Sequence, residues 1–350
     1  MSSGPQNFLN RINKELASYG LPPYEIINPN PSSLNSLKKK DIFKVGRLDG
    51  ASYYKTTSLN FYNLIKQRRE KSSKIFSFLP YFPNKMILAF NKPVNYFLNR
   101  ASKEVQKKSD IIIFQSAFSK DMQDKFVGSF YIKKPHKIIL NGIPRDVFYP
   151  PKKVTYIEGF PNLAITASFR LHKRLQDAIA ITNFLKKKYP DIRLHILGNM
   201  DNLTKKYISM QDISSCVFHG NVKTIDLPRI YSSCDVGLSP SLFDPCPNSV
   251  IEMMGCGLPV ITTSQSGAKE LVKNSDLIVN EDVPLEYLEL QTAHLIPQID
   301  IKAWSGAIEK IIDQKLKYSE FVLKRVEEEL DIKITAKKYA QFIMENIDAK

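Results

Sequence analysis

From residue 163 onward the chain alternates between short apolar runs and longer segments that read as helices. The runs fall at 163–167, 194–197, 216–219, 236–239, 260–263 and 277–279. Continuous apolarity over four or five residues marks strands buried on both faces, which is the habit of parallel sheets covered by helices. The clearest intervening helix is 174–188, where Leu175, Ala178, Ile181 and Leu185 share one face. Lys186, Lys187 and Lys188 close its last turn, and Tyr189-Pro190 ends it. Such alternation constrains the chain to an α/β fold.

The first half is less regular. Ile111-Ile112-Ile113-Phe114 reads as another buried parallel strand, and further strands are expected at 24–28 and 42–45. Gly46 is expected to break the latter, leaving Arg47-Leu48-Asp49-Gly50 at its carboxyl end. Residues 72–90 interleave aromatics and prolines with lysines, as an insertion or surface loop would. Charge divides the halves. Residues 1–150 hold 25 Lys/Arg against 10 Asp/Glu, whereas residues 151–350 hold 25 of each, so the whole excess of +15 lies in the first part. A basic face of this kind attracts an anionic membrane surface, a phosphorylated acceptor or nucleic acid. No recognition-helix, zinc or aromatic-platform motif supports nucleic acid. The four cysteines lack metal-ligand spacing, and reduced thiols are the reading they favour. No run reaches the roughly 18–20 apolar residues that span a bilayer. A cytoplasmic protein, or one peripheral on a cytosolic membrane face, is expected.

The chemistry concentrates at one corner. Asp235-Val236-Gly237-Leu238-Ser239 leads to Asp244-Pro245-Cys246-Pro247-Asn248-Ser249-Val250-Ile251-Glu252, and Pro259-Val260-Ile261 follows. A strand–loop–helix corner aims a helix N-terminus into the crevice at the strand ends, where amides suit phosphate and acids suit hydroxyls. The plainer alternative is a capping box in which Ser249 caps the helix and Glu252 reaches back. Prolines 245 and 247 remove two amides, while Asn248, Ser249 and Val250 keep theirs.

With Gly255-Cys256-Gly257-Leu258-Pro259-Val260-Ile261, these residues resemble glycosyltransferase family 4, whose corner carries two acids eight positions apart before a small-residue run. Asn141-Gly142-Ile143-Pro144, Ser168-Phe169-Arg170-Leu171-His172-Lys173-Arg174, His219-Gly220-Asn221-Val222 and Ser239-Pro240-Ser241 also fall in the family's order. The first acid is here the shorter Asp244, where the family usually has Glu. The resemblance implies a GT-B architecture, two Rossmann-like domains facing each other across a cleft. It divides the chain into an acceptor-side domain (1–145), a nucleotide-sugar-binding domain (146–330) and a last helix (331–350) crossing back to the first domain. Only Met1-Ser2-Ser3 precede Gly4, so the strand expected before the family's glycine loop is missing.

By the same resemblance, the protein is a retaining hexosyltransferase that moves a sugar from a nucleotide-sugar donor to a lipid, saccharide or protein acceptor. The donor is a substrate, and no cofactor or metal is implied. Asp244 would hold sugar hydroxyls and Glu252 ribose hydroxyls, while Arg170, Lys173 and Arg174 neutralise the departing phosphate. Asn248, Ser249, Val250 and Gly4 would line the donor. Asp49 and Ser116 stand on the acceptor side, though Asp49 also reads as a turn residue and Ser116 as a helix cap. Two other classes stay open: a protein that glycosylates or binds nucleic acid, and a non-catalytic nucleotide-sugar-binding homologue.

Overall fold

A computed structural model of the protein describes residues 4–29, 33–48, 99–152, 157–283 and 299–347. Asp49 and the aromatic stretch 72–90 lie outside them. Two parallel sheets organise the described chain. The first has the order β1(Tyr24–Ile27), β2(Phe43–Leu48), β3(Ile111–Phe114), β4(His136–Ile138). The second comprises β5(Asn162–Thr166), β6(Arg193–Leu197), β7(Cys216–Gly220), β8(Val236–Ser239), β9(Val260–Thr263) and β10(Ile278–Val279), in the order β10-β9-β8-β5-β6-β7. Two separate parallel sheets are what the expected pair of Rossmann-like domains requires.

The apolar runs form these strands for the reason their composition suggests. Residues of β3, β8 and β9 are all buried, which a parallel sheet between helix layers requires. The helix Leu175–Leu185 buries Leu175, Ala178, Ile181 and Leu185 against the second sheet's core and ends before the three lysines. β2 differs from expectation. It continues through Gly46 to Leu48 instead of stopping there. A Cβ at Gly46 would lie 2.7 Å from Ile112 Cδ1 and 2.7 Å from Ser109 Oγ, so the glycine admits its neighbours and does not end the strand. β4 has no counterpart among the expected strands. It is a three-residue edge strand with every residue exposed, and it carries no apolar run to reveal it.

Two features bring the sheets together. The last helix, Ile332–Ile347, packs on the first, Gly4–Leu16, through Phe8, Ile12 and Leu16 against Ala336, Tyr339, Ala340 and Ile343. Residues around Ile143 pair with the chain entering that last helix, Ile143 N–H donating to Leu330 O and Ile332 N–H to Ile143 O. In the second sheet β5 sits between β8 and β6, so the strand order reverses at β5. The loops after β5 and β8 therefore diverge from adjacent strand ends, opening the crevice where such sheets bind ligands.

Candidate functional site

The loop after β8 is fixed before its side chains act. Leu242 N–H donates to His172 O in the loop after β5, Phe243 N–H to Gln265 O, and Gly267 N–H to Asp244 O at 2.8 Å. Ser266 Oγ adds a second bond to Asp244 O at 3.0 Å. A Cβ at Gly267 would fall 1.9 Å from Pro245 O, so the loop tolerates only glycine there. Phe243 takes φ +60°, an uncommon conformation for an aromatic residue, and buries its ring with Met122, Leu242 and Val283.

This scaffold joins two of the expected residues directly. Lys173 Nζ forms an ion pair with the Asp244 carboxylate, both side chains being mostly buried. Lys173 ends the short turn Leu171–Lys173 after β5, whereas Asp244 lies on the loop after β8, so the contact spans the switch point. Arg170 caps the start of the same turn, and its side chain is exposed.

Glu252 sits on the corner helix Asn248–Gly255 and is 9% exposed. Its carboxyl is raised above the ordinary carboxylate range because burial outweighs the opposing effect of Arg11. Arg11 Nη1 reaches it from the first helix at 2.9 Å. The capping-box reading fails here. The N-cap is Pro247, no side chain caps the helix, and Glu252 turns to Arg11 instead of back to Ser249. Ser249 lies inside the first turn. Val250 N–H, expected to face a ligand, instead donates to Pro247 O at 3.1 Å, and its side chain is fully buried. The mouth of the helix is thus left to Asn248 and Ser249.

Arg174 departs further from expectation. It adopts the left-handed conformation (φ 56°, ψ 40°) that starts the next helix, and its side chain is 1% exposed. The guanidinium binds the carboxylates of Asp177 and Glu281, the latter at 2.8 Å, and Trp304 Nε1 donates to Glu281 as well. That ion-pair cluster lies inside the second unit. Arg174 is therefore a buried structural cation and not a group turned toward a donor phosphate.

At the crevice, Ser116 takes the helix-cap role that was its alternative reading, and Glu270, Asn141 and Arg47 join it without having been legible as site residues. Ser116 caps the helix Ala117–Phe126 by accepting from Ser119 N–H, and its hydroxyl also donates to Pro245 O at 2.6 Å. Glu270 accepts from the amides of Ala117 and Phe118, each at 2.8 Å. Asn141 Nδ2 donates to Asn248 Oδ1 at 2.9 Å. Behind it the fully buried Arg47 donates to Gln115 Oε1 and Asn141 Oδ1, both at 2.9 Å, and stands 4.4 Å from the Phe8 ring centroid. Arg47 thereby ties the ends of β2 and β3 to the corner helix. Gly4 is the first residue of the first helix. Among the described residues no cluster of three His, Cys, Asp or Glu could hold a metal ion.

Comparison with known proteins bears on this geometry. Residues 161–314 match the family model described as "Glycosyl transferases group 1". A protein named "Uncharacterized glycosyltransferase" from Haemophilus influenzae is 26% identical over 206 residues, covering 52% of this chain and 54% of that protein. Spore coat protein SA of Bacillus subtilis is 29% identical over 117 residues, 29% of this chain and 31% of that protein. The matched segments span about half of the first relative and about a third of the second. Among solved structures, sucrose-phosphate synthase from Thermosynechococcus elongatus aligns with a TM-score of 0.64 at 16% identity, covering 99% of this chain and 78% of that one. Anabaena HepE in complex with UDP-glucose gives a TM-score of 0.59 at 13% identity, covering 97% and 82%. The chain thus has the GT-B fold, and its second sheet, with Lys173, Asp244 and Glu252, lies within the segment that matches group 1 glycosyl transferases.

Proposed function

We propose that this protein is a retaining glycosyltransferase that takes a sugar from a nucleotide-sugar donor bound at the corner of β5, β8 and the helix Asn248–Gly255. The observation that carries the reading is the Lys173–Asp244 pair at the switch point of the second sheet, inside the segment that matches group 1 glycosyl transferases. Breaking the bond between sugar C1 and phosphate builds negative charge on the leaving nucleoside diphosphate. Lys173 is the cation poised to meet it, with Arg170 at the edge and the amides of Asn248 and Ser249 at the positive end of the helix. Asp244 and Glu252 accept hydroxyls of the sugar and the ribose. Arg174, locked to Asp177 and Glu281, has no part in this scheme.

The retaining course places the leaving phosphate on the side of the incoming acceptor hydroxyl, where it helps to take the proton. The acceptor is a lipid, saccharide or protein hydroxyl, and the basic first half suits an anionic membrane face. The test is a panel of nucleotide sugars screened by thermal shift, followed by transfer and hydrolysis assays on each hit. Lys173→Met should lower kcat on the identified donor by about 100-fold or more, the scale of losing one preorganised charge at a developing anion. A kcat within about threefold of wild type would remove Lys173 from the chemistry. Donor binding without transfer or hydrolysis by the wild type would instead mark a non-catalytic homologue.

A further inference from the structure

The turn before β4 and β4 itself form a ridge that the crevice does not use. Phe130 is 39% exposed, Ile132 63% and Ile138 42%. Between Phe130 and Ile132 the Tyr131 side chain turns inward. It is fully buried, packs edge-on against Phe114 with ring centroids 4.8 Å apart, and its hydroxyl donates to Asp124 at 2.7 Å. This anchor presents its two apolar neighbours outward on a rigid turn. Lys103 and Lys107 stand over the Phe130 ring, 4.6 and 4.9 Å from its centroid. Lys133 is exposed beside Ile132.

The segment that carries the ridge has charge of one sign. No Asp or Glu occurs from Lys125 to Arg145, a stretch that carries Lys133, Lys134 and Lys137 as well. Among the described residues two carboxylates beside it are engaged, Asp124 with Lys120, Ser129 and Tyr131, and Glu104 with Lys108. Lys134 is held by the carbonyls of Lys107 and Ser109, and Lys137 lies over the Phe342 ring, while Lys103 and Lys107 at Phe130 and Lys133 beside Ile132 flank the apolar tips.

We infer that this ridge, with Phe130, Ile132 and Ile138 as tips and Lys103, Lys107 and Lys133 as the collar, docks the protein on an anionic lipid bilayer. Apolar tips sink into the boundary between headgroups and acyl chains while lysines remain at the phosphates. An aliphatic tip such as Ile132 offers no planar face on which a nucleic-acid base could stack. Three residues beyond Ile138 the chain reaches Asn141, which bonds the corner helix at the crevice. That a lipid-borne acceptor is then presented to the site rests on the transferase reading; the docking itself does not.

Sedimentation of the full chain with phosphatidylcholine vesicles, with and without phosphatidylglycerol, tests the proposal. Wild type should bind the anionic vesicles alone and release them as salt rises. Lys107→Gln and Lys133→Gln should each weaken binding about fivefold. Phe130→Ser with Ile132→Ser should weaken it about tenfold or more, with an unchanged melting temperature. Trp304, the sole tryptophan, is fully buried, so Ile132→Trp adds a surface reporter whose emission should shift to the blue on anionic vesicles. Equal binding to neutral vesicles, wild-type affinity in these variants, or an unshifted Ile132→Trp emission would overturn the proposal. Binding of duplex DNA without vesicle binding would reassign the ridge to nucleic acid and overturn it too. Failure of donor turnover with vesicle binding intact would sink only the transferase reading.

Discussion

Arg11→Met isolates the pair that joins the first helix to the corner helix. At 2.9 Å and an effective dielectric near 20, the Coulomb attraction is roughly 6 kcal/mol, of which desolvation cancels the larger part. The side chains are 19% and 11% exposed, so solvent screens the remainder, and a coupling of about 2 kcal/mol is expected. The effect carries a pH signature. Burial already raises the Glu252 carboxyl above its ordinary range, and Arg11 is the group that opposes the rise. The folded state thus holds a proton that the unfolded chain, with a carboxyl pKa near 4.3, gives up. Stability from this group is full below the unfolded value and is lost as pH rises through the folded one. Removing Arg11 raises the folded value further and widens that window upward. Thermal unfolding at pH 5 and pH 8 should therefore show Arg11→Met trailing wild type by more at pH 8, with a deficit of about 4–8 °C. Adding Glu252→Gln should remove most of the pH dependence. An equal deficit at both pH values, or a double-mutant coupling below about 0.5 kcal/mol, would refute the reasoning.

Two further outcomes follow from buried charge in the second unit. Arg174→Met leaves Asp177 and Glu281 facing each other without their cation, and should cost about 3–5 kcal/mol in chemical denaturation; weakened donor affinity at unchanged stability would return Arg174 to the phosphate site. His195 is pushed down to about 4 by burial, with His219 and Arg193 adding to it. Its neutral ring, bonded to Asn162 Oδ1 at 3.0 Å and His219 Nε2 at 2.9 Å, favours the fold fully above the unfolded value near 6.5. That stability should decline as pH falls from about 6.5 toward 4, and the decline should flatten in His195→Gln; parallel pH–melting curves for the two proteins would contradict this.

The parts of the fold that could be read from the residues are those whose neighbours lie close in sequence. β3, β8 and β9 were plain because a strand buried on both faces must be apolar at every position. β4 escaped because an exposed edge strand needs no such pattern, and Gly46 misled because a glycine admitting Ile112 and Ser109 reads the same as one that ends a strand. The acids at 244 and 252 stood out through their spacing and the small-residue run after them. Their partners did not. Lys173 meets Asp244 only because β5 and β8 are neighbours, and Arg11 meets Glu252 across 241 residues.

Arg174 shows why spacing could not sort the basic cluster. Lys173 and Arg174 are adjacent, yet the left-handed turn at Arg174 throws their side chains apart, one to Asp244 and the other to Asp177 and Glu281. A residue with φ near +56° reverses the direction that its neighbour's backbone sets, and an L-residue accepts that conformation at a cost of about 1–2 kcal/mol. The ion pairs of Arg174 offset the strain. The left-handed backbone at Arg174 turns its own side chain into the second unit, away from the crevice that Lys173 faces. The division of labour between two neighbouring cations is set by local backbone and by the strand order that places their partners, which no count of Lys and Arg contains.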